Sequence, residues 1–150
     1  MSQRELTKDS RCILYVSKEL ECRIAASIVY RMIENYYNII LINYVGNGFC
    51  NEFPKDLWEY SYLAMIGVSP NDLGMRTIRS QVHDKDILWI DNQERNIPMW
   101  TDYDMLPGER NPNFTLTEMC WAYFHKEEEC PDLIKLVTNK WSVIEMAKML

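Results

Sequence analysis

The stretch Arg11–Ser17, RCILYVS, decides how the rest of the chain is interpreted, because it is short, apolar and contains β-branched residues. A run of this kind predicts a buried β-strand. Residues 21–37 follow it with apolar side chains at spacings of three and four, which predicts one buried face of a helix. The first two predicted elements are therefore a strand and a helix.

Three more strands are predicted downstream, at residues 38–45, 62–68 and 86–91. A helix is predicted between the last two, with Ser69 as its N-cap and Pro70 in its first position. Strands that alternate with helices are typical of a mainly parallel sheet with helices on both faces. The predicted fold class is therefore α/β.

A long stretch at residues 92–113 contains three prolines and has no periodic pattern. Loops of this length in a compact domain are usually functional. Thr115 and Glu118 form a Thr-x-x-Glu capping box, which predicts the start of another helix. The remaining helices are predicted at residues 115–124, 131–139 and 141–150. Because the chain shows no repeat and no linker, one α/β domain over residues 1–150 is expected.

Composition and charge limit the function and the compartment. The 22 acidic and 16 basic residues give a net charge of −6, which disfavours binding of long nucleic acid. The five cysteines are odd in number and contain no C-x-x-C pair, so reduced thiols in the cytoplasm are expected. No apolar run is long enough to span a bilayer, so no membrane association is expected, and the two histidines are not spaced as zinc ligands.

Candidate carboxylates lie just after the predicted strands, where ligands bind in parallel sheets. Glu19 and Glu21 follow the first strand, and Asp91 ends the fourth. These three could hold a divalent metal for phosphoryl chemistry, or Glu19 and Glu21 could be solvated residues favoured by a helix dipole. Ser69 is either a structural N-cap or an N-cap whose helix also receives an anionic group.

Arginine and hydroxyl side chains near the same strand ends favour a site for phosphate groups. Arg23, Arg95 and Arg110 could each bind a phosphate in a bidentate manner, although a single arginine is usually a surface charge. Thr115 and Thr117 are expected to receive an anion at the start of their helix. Three aromatic residues of the long loop could stack on a base or form the loop's own small core: Trp100, Tyr103 and Phe114.

Residues 17–26, SKELECRIAA, are similar to an Asp-x-Asp-Gly motif that opens a helix after the first strand of a sheet. Glu19 and Glu21 stand in the two aspartate positions of that motif. Cys22 stands in the position of its glycine. The motif is therefore recognisable but altered at each of its defining positions.

Two further segments are similar to later motifs of the same set. Residues 67–70, GVSP, resemble an Asp-x-Ser motif in which Gly67 takes the position of a metal-ligand aspartate. Residues 90–93, IDNQ, resemble an Asp-His-His motif that keeps Asp91 and loses both histidines. Together these motifs resemble the DHH phosphoesterase family over most of the chain, with Asn139 in place of a further aspartate.

The resemblance implies the first domain of a family that hydrolyses phosphodiester or pyrophosphate bonds with two manganese ions. Two close manganese ions need several anionic or imidazole ligands. The departures at Gly67 and after Asp91 leave three carboxylates at most. We therefore expect no metal, no cofactor and no catalytic residue, with manganese as the cofactor of the alternative function.

The favoured hypothesis is a viral protein that evades anti-phage defence by sequestering an immune signalling nucleotide in the host cytoplasm. A cyclic dinucleotide or an ADP-ribose derivative is the expected ligand. The alternatives are a metal-dependent phosphodiesterase acting on a cyclic or linear nucleotide, and a protein-interaction subunit. The apolar residues 141–150 either cover the core or pair with a second copy in a homodimer. The expected ligand-binding residues are Ser17, Glu19, Glu21, Arg23, Ser69, Asp91, Asn92, Gln93, Arg95, Arg110, Asn113, Thr115 and Thr117.

Overall fold

A computed structural model describes residues 10–46, 49–50 and 56–125 of the chain. The helices predicted at residues 131–139 and 141–150, with Asn139 and the C-terminal dimer contact, lie outside the described residues. In chain order the elements are β1 (Arg11–Ser17), α1 (Leu20–Ile33), β2 (Ile39–Val45), β3 (Phe49–Cys50), β4 (Tyr62–Ile66), β5 (Ser69–Pro70), α2 (Asp72–Gln81), β6 (Ile87–Ile90), α3 (Ile97–Asp102) and α4 (Leu116–Phe124). Short 3₁₀ turns lie at Glu34–Tyr36, Leu57–Glu59, Asp84–Asp86 and Glu94–Asn96.

The central sheet confirms the predicted α/β class. Its four strands are all parallel and lie in the order β2-β1-β4-β6. The chain passes from β1 to β2 on one side, and β4 then lies on the other side of β1. The strand order therefore reverses between β1 and β4, and in open α/β sheets such a reversal is where ligands bind.

Both faces of the sheet are covered, as predicted. Cys12, Leu14 and Val16 of β1 pack on one face, beneath α1 and α4. Ile13 and Tyr15 pack on the other face, together with residues of α2 and α3. Because side chains alternate between faces along a strand, burial on both sides explains why β1 is apolar almost throughout.

The predicted N-cap of α2 is wrong. Asn71 caps the helix, and its side chain accepts a hydrogen bond from the Gly74 N–H at 2.8 Å. Ser69 and Pro70 instead form β5, which pairs in parallel with β3. The Ser69 hydroxyl is not available to the helix because it donates to a buried carboxylate, as described below.

Three other predictions can be compared with the observed elements: the end of β4, the long stretch 92–113 and the start of α4. β4 ends at Ile66, two residues early, because Gly67 takes a φ of +68° and leaves the extended conformation. The stretch 92–113 contains the short helix α3 and is not irregular throughout. The capping box of Thr115 and Glu118 at the start of α4 is confirmed.

No helix in the described part of the chain combines the length and apolar character needed to cross a bilayer.

Candidate functional site

The carboxyl ends of β1, β4 and β6 meet at one edge of the sheet, which we call the carboxyl edge. Ser17 ends β1, Gly67 follows β4, and Asp91 follows β6. The amino end of α1 begins here too, and a Glu21 contact brings the amino end of α4 to the same place. The predicted gathering of polar residues at this edge is therefore largely observed.

Asp91 is the centre of a buried hydrogen-bond network. Its side chain is fully buried, and Oδ2 accepts from the Ser69 hydroxyl at 2.5 Å and from Asn96 Nδ2 at 2.7 Å. Oδ1 accepts from the Gln93 backbone N–H at 3.1 Å. Ser69 Oγ in turn accepts from the Trp89 indole N–H at 3.1 Å. Three protein donors therefore satisfy this carboxylate, which joins the ends of β4 and β6 to the start of the following loop.

Glu21 links α1 to α4. Its Oε1 accepts a hydrogen bond from the Leu116 backbone N–H at 2.9 Å. Thr115 caps the same helix, and its hydroxyl lies 3.1 Å from that of the fully buried Thr117. A carboxylate near a helix amino end is stabilised by the helix dipole. The amino end of α4, where we expected an anion from outside, thus already receives one from Glu21.

Gly67 packs directly against α1 and α4. A Cβ at this position would lie 2.6 Å from Cys22 Sγ and 2.9 Å from Leu116 Cδ1. Its φ of +68° is also one that residues with side chains rarely adopt. The space that an aspartate would need here is therefore filled by the Cys22 thiol and Leu116.

Cys22 is itself buried, and this changes its acidity. The pKa of the Cys22 thiol is raised from 9.0 to about 12, chiefly by burial and to a smaller extent by nearby carboxylates, while a hydrogen bond with Ser17 opposes the rise. Ser17 is 2% exposed, so both groups lie under the surface of the carboxyl edge. The thiol is a packing group here and not a nucleophile.

The exposed rim of the carboxyl edge carries two basic side chains, one carboxylate and an aromatic ring. The Arg23 guanidinium lies 5.3 Å from the ring centroid of Tyr44, which is 51% exposed. Lys18 is exposed, and its backbone N–H donates to Val45 O at 3.2 Å, which fixes it beside the end of β2. Glu19 is exposed at the N-cap of α1 and makes no side-chain capping bond. The amino end of α1 is therefore flanked by two cationic side chains and carries no side-chain cap.

The other predicted polar residues lie on the loop beyond β6. Asn92 Nδ2 donates to Phe114 O at 3.2 Å, which brings it to the start of α4. Asn113 is exposed, and its backbone N–H donates to Asn111 Oδ1 at 3.0 Å. Arg95 is exposed on a 3₁₀ turn, and the side chain of Gln93 is half-buried nearby in the chain.

Arg110 fastens the loop that precedes it. Its guanidinium donates to four backbone carbonyls, at distances of 2.9 to 3.4 Å, and lies 4.8 Å from the Trp89 ring centroid. Burial lowers its pKa.

An open cleft of about 400 Å³ lies beside Arg110 and is lined also by Asp104 and Glu109, whose charges disfavour a phosphate. Trp100 and Tyr103, proposed above for stacking, are each 7% exposed and belong to the core.

No three histidine, cysteine, aspartate or glutamate side chains within the described ranges come together as a group that could hold a metal ion. No family model, no curated protein and no solved structure matches this chain. The resemblance to DHH phosphoesterases therefore depends on the motifs alone.

Proposed function

We propose that this domain binds a small phosphorylated nucleotide at the carboxyl edge of its sheet and holds it without metal-dependent cleavage. The packing of Gly67 is the observation that supports the second half of the proposal. In a DHH-like site this position would supply a metal-ligand aspartate, but here Cys22 Sγ would lie 2.6 Å from any Cβ. A metal ligand could not be restored without removing the thiol.

The remaining carboxylates support the same conclusion. Asp91 accepts three hydrogen bonds inside the protein, and Glu21 is bonded to the amino end of α4. A metal ion would compete with these donors for the carboxylate oxygens, and each buried donor left without a partner would cost about 1–3 kcal/mol. Glu19 alone of the three expected carboxylates is exposed and makes no capping bond.

The exposed rim supports binding of a phosphate group. Backbone N–H groups at the start of a helix favour anions, and α1 has no side-chain cap to satisfy them. Lys18 and Arg23 place two positive charges at this point, beside the exposed carboxylate of Glu19. The rim lies at the carboxyl ends of β1 and β2, on the opposite side of β1 from the reversal of strand order. Tyr44 offers a ring face on which a base could stack.

We further propose that the biological role is sequestration of a signalling nucleotide, of the cyclic dinucleotide or ADP-ribose type, by a virus that infects a defended cell. A protein that binds such a ligand tightly and does not cleave it would lower the free concentration of the signal. The motif departures at Glu19, Cys22 and Gly67 fit a domain derived from a hydrolase whose catalytic chemistry has been lost.

The test is native mass spectrometry of the full chain against a panel of cyclic dinucleotides, ADP-ribose derivatives and linear dinucleotides. We expect one ligand to bind in the presence of EDTA and to be recovered with unchanged mass after heat denaturation. A matched pair of variants on α1 locates the site: Arg23→Ala should weaken binding more than about 10-fold, and Arg31→Ala, an exposed arginine in the last turn, should not. Arg95→Ala tests the β6 loop in the same way.

Three results would contradict the proposal. Recovery of a cleaved product that depends on manganese and disappears in Asp91→Asn would establish the phosphodiesterase alternative. Binding that is unaffected by Arg23→Ala would move the site away from the rim. A melting temperature unchanged by every nucleotide would favour the protein-interaction alternative, because a ligand at 100 times its Kd stabilises a protein by about 2.7 kcal/mol.

A further inference from the structure

The described sheet has β2 and β6 as its edge strands, and the composition of β2 is unusual for an edge strand. The sequence of β2, IILINYV, contains no charged residue and no proline. All seven residues pair in register with β1, so the strand has no bulge. Among the described residues, no strand pairs with its outer side. Natural edge strands usually carry charges, prolines or bulges that prevent pairing with another chain, and β2 carries none of them.

Both faces of β2 also expose apolar side chains. Ile39 and Leu41, on the side of α2 and α3, are 47% and 44% exposed. Ile42 and Tyr44, on the side of α1, are 37% and 51% exposed. An edge whose outward backbone groups have no strand partner in the described ranges, and whose flanks are apolar on both faces, fits a β-strand partner that is itself apolar on both faces.

We propose that the partner is a second copy of this chain, and that two β2 strands pair antiparallel across a twofold axis at Ile42. In an isologous contact only the residue on the twofold axis meets its own counterpart, so a charge at that position would face a like charge. The absence of charge from β2 makes it compatible with itself. The two four-stranded sheets would then form one continuous sheet of about eight strands.

The backbone directions fix the register of this pairing. The Ile39 N–H donates to Ser10 O at 3.2 Å, and Val45 O accepts from the Lys18 N–H at 3.2 Å. Odd-numbered residues of β2 therefore direct their backbone groups toward β1. Because these directions alternate along a strand, Ile40, Ile42 and Tyr44 direct theirs outward.

An antiparallel partner that uses those outward groups pairs Ile42 with Ile42, and Ile40 with Tyr44. This register makes about six backbone hydrogen bonds. It also places the Ile40 and Tyr44 side chains together on the α1 side of the sheet. On the opposite side it places Ile39 beside Val45 of the second copy. No other antiparallel register that is symmetric about one residue and bonded by its outward groups aligns as much of the strand.

The test is the molar mass of the full chain by sedimentation equilibrium over a range of concentrations. We expect a reversible dimer for the wild type. Ile42→Lys should weaken self-association at least about 100-fold, because it places two like charges on the axis and removes two apolar contacts. The matched control is Leu73→Lys, which makes the same change at an exposed position of α2 and should leave the dimer intact. A monomeric wild type, or a dimer that persists in Ile42→Lys, would overturn the proposal.

A second measurement decides the question if Ile42→Lys fails to fold. In Ile42→Cys, the two introduced thiols should form a disulfide on mild oxidation, since directly bonded pairs of antiparallel strands bring Cα atoms to about 5.5 Å. Peptide mapping should find position 42 joined to position 42, and Leu73→Cys should give no such link. If position 42 joins another part of the chain, or a foreign protein in place of a second copy, the self-pairing is wrong.

Discussion

Replacing Gly67 with alanine tests how tightly the Cys22 thiol packs against this position. The added Cβ would meet Cys22 Sγ at 2.6 Å and Leu116 Cδ1 at 2.9 Å, at a φ of +68°. The left-handed backbone should cost about 1–2 kcal/mol, and the overpacking about 1–3 kcal/mol. We therefore expect Gly67→Ala to lower the free energy of unfolding by about 2–5 kcal/mol, measured by urea denaturation.

A double-mutant cycle separates the two contributions. Cys22→Ala removes the sulfur and should alone cost about 1 kcal/mol, because it leaves a small cavity. In the double variant the overlap with the sulfur is relieved, while the contact with Leu116 and the backbone strain remain, so the two changes should show a favourable coupling of about 1–3 kcal/mol. Gly46→Ala is the control, since no atom lies within 4 Å of its added Cβ, and should cost less than about 0.5 kcal/mol. Strict additivity of Gly67→Ala and Cys22→Ala would refute the proposed packing.

Three other expectations concern stability. Asp91→Ala leaves three buried or half-buried donors without an acceptor and should lower the free energy of unfolding in urea by about 3–5 kcal/mol. The control is Asp102→Ala at an exposed position, which should lower it by less than about 0.5 kcal/mol. Equal effects would show that the network is not stabilising. A lysine at position 110 cannot donate to all four carbonyls, so Arg110→Lys should lower the free energy of unfolding by about 2–3 kcal/mol and speed hydrogen exchange in the 104–110 loop. Unchanged exchange in this loop would show that Arg110 does not hold it. Because burial raises the pKa of the Cys22 thiol from 9.0 to about 12, the contribution of this thiol to stability is complete below pH 9 and declines as the pH rises toward 12. Cys22→Ala should therefore reduce the loss of stability above pH 9. An unchanged pH profile would argue against burial of the thiol.

The sheet could be predicted from the sequence because its strands are short apolar runs that occur between clear helical patterns. β1 was placed at its observed bounds, and the capping box of α4 was found, since both signals are local. The N-cap of α2 was misplaced because Ser69 and Asn71 are both good caps by type. Only the tertiary contact of Ser69 with Asp91 decides between them.

The sequence predicts which part of the sheet carries the candidate site residues better than it predicts which groups those residues contact. The sequence places Asp91 and Glu21 near one edge of the sheet, but it does not show that protein donors already satisfy both. Asn96, which donates to Asp91 at 2.7 Å, was missed because a polar residue in a long loop gives no signal of burial. The sequence predicts phosphate binding for Arg110, because an arginine that holds a loop and one that binds an anion cannot be distinguished by residue type.

The bond between Glu21 and Leu116 joins residues 95 positions apart and has a consequence for biosynthesis. The first described helix, α1, therefore cannot complete its packing until the last described helix, α4, has been synthesised. During translation the apolar side of the sheet beneath α4 is therefore uncovered until residue 124 has emerged from the exit tunnel. Nascent chains of this protein should depend on holding chaperones for most of their synthesis, and a stop codon placed before residue 116 should yield aggregates and not a smaller folded domain.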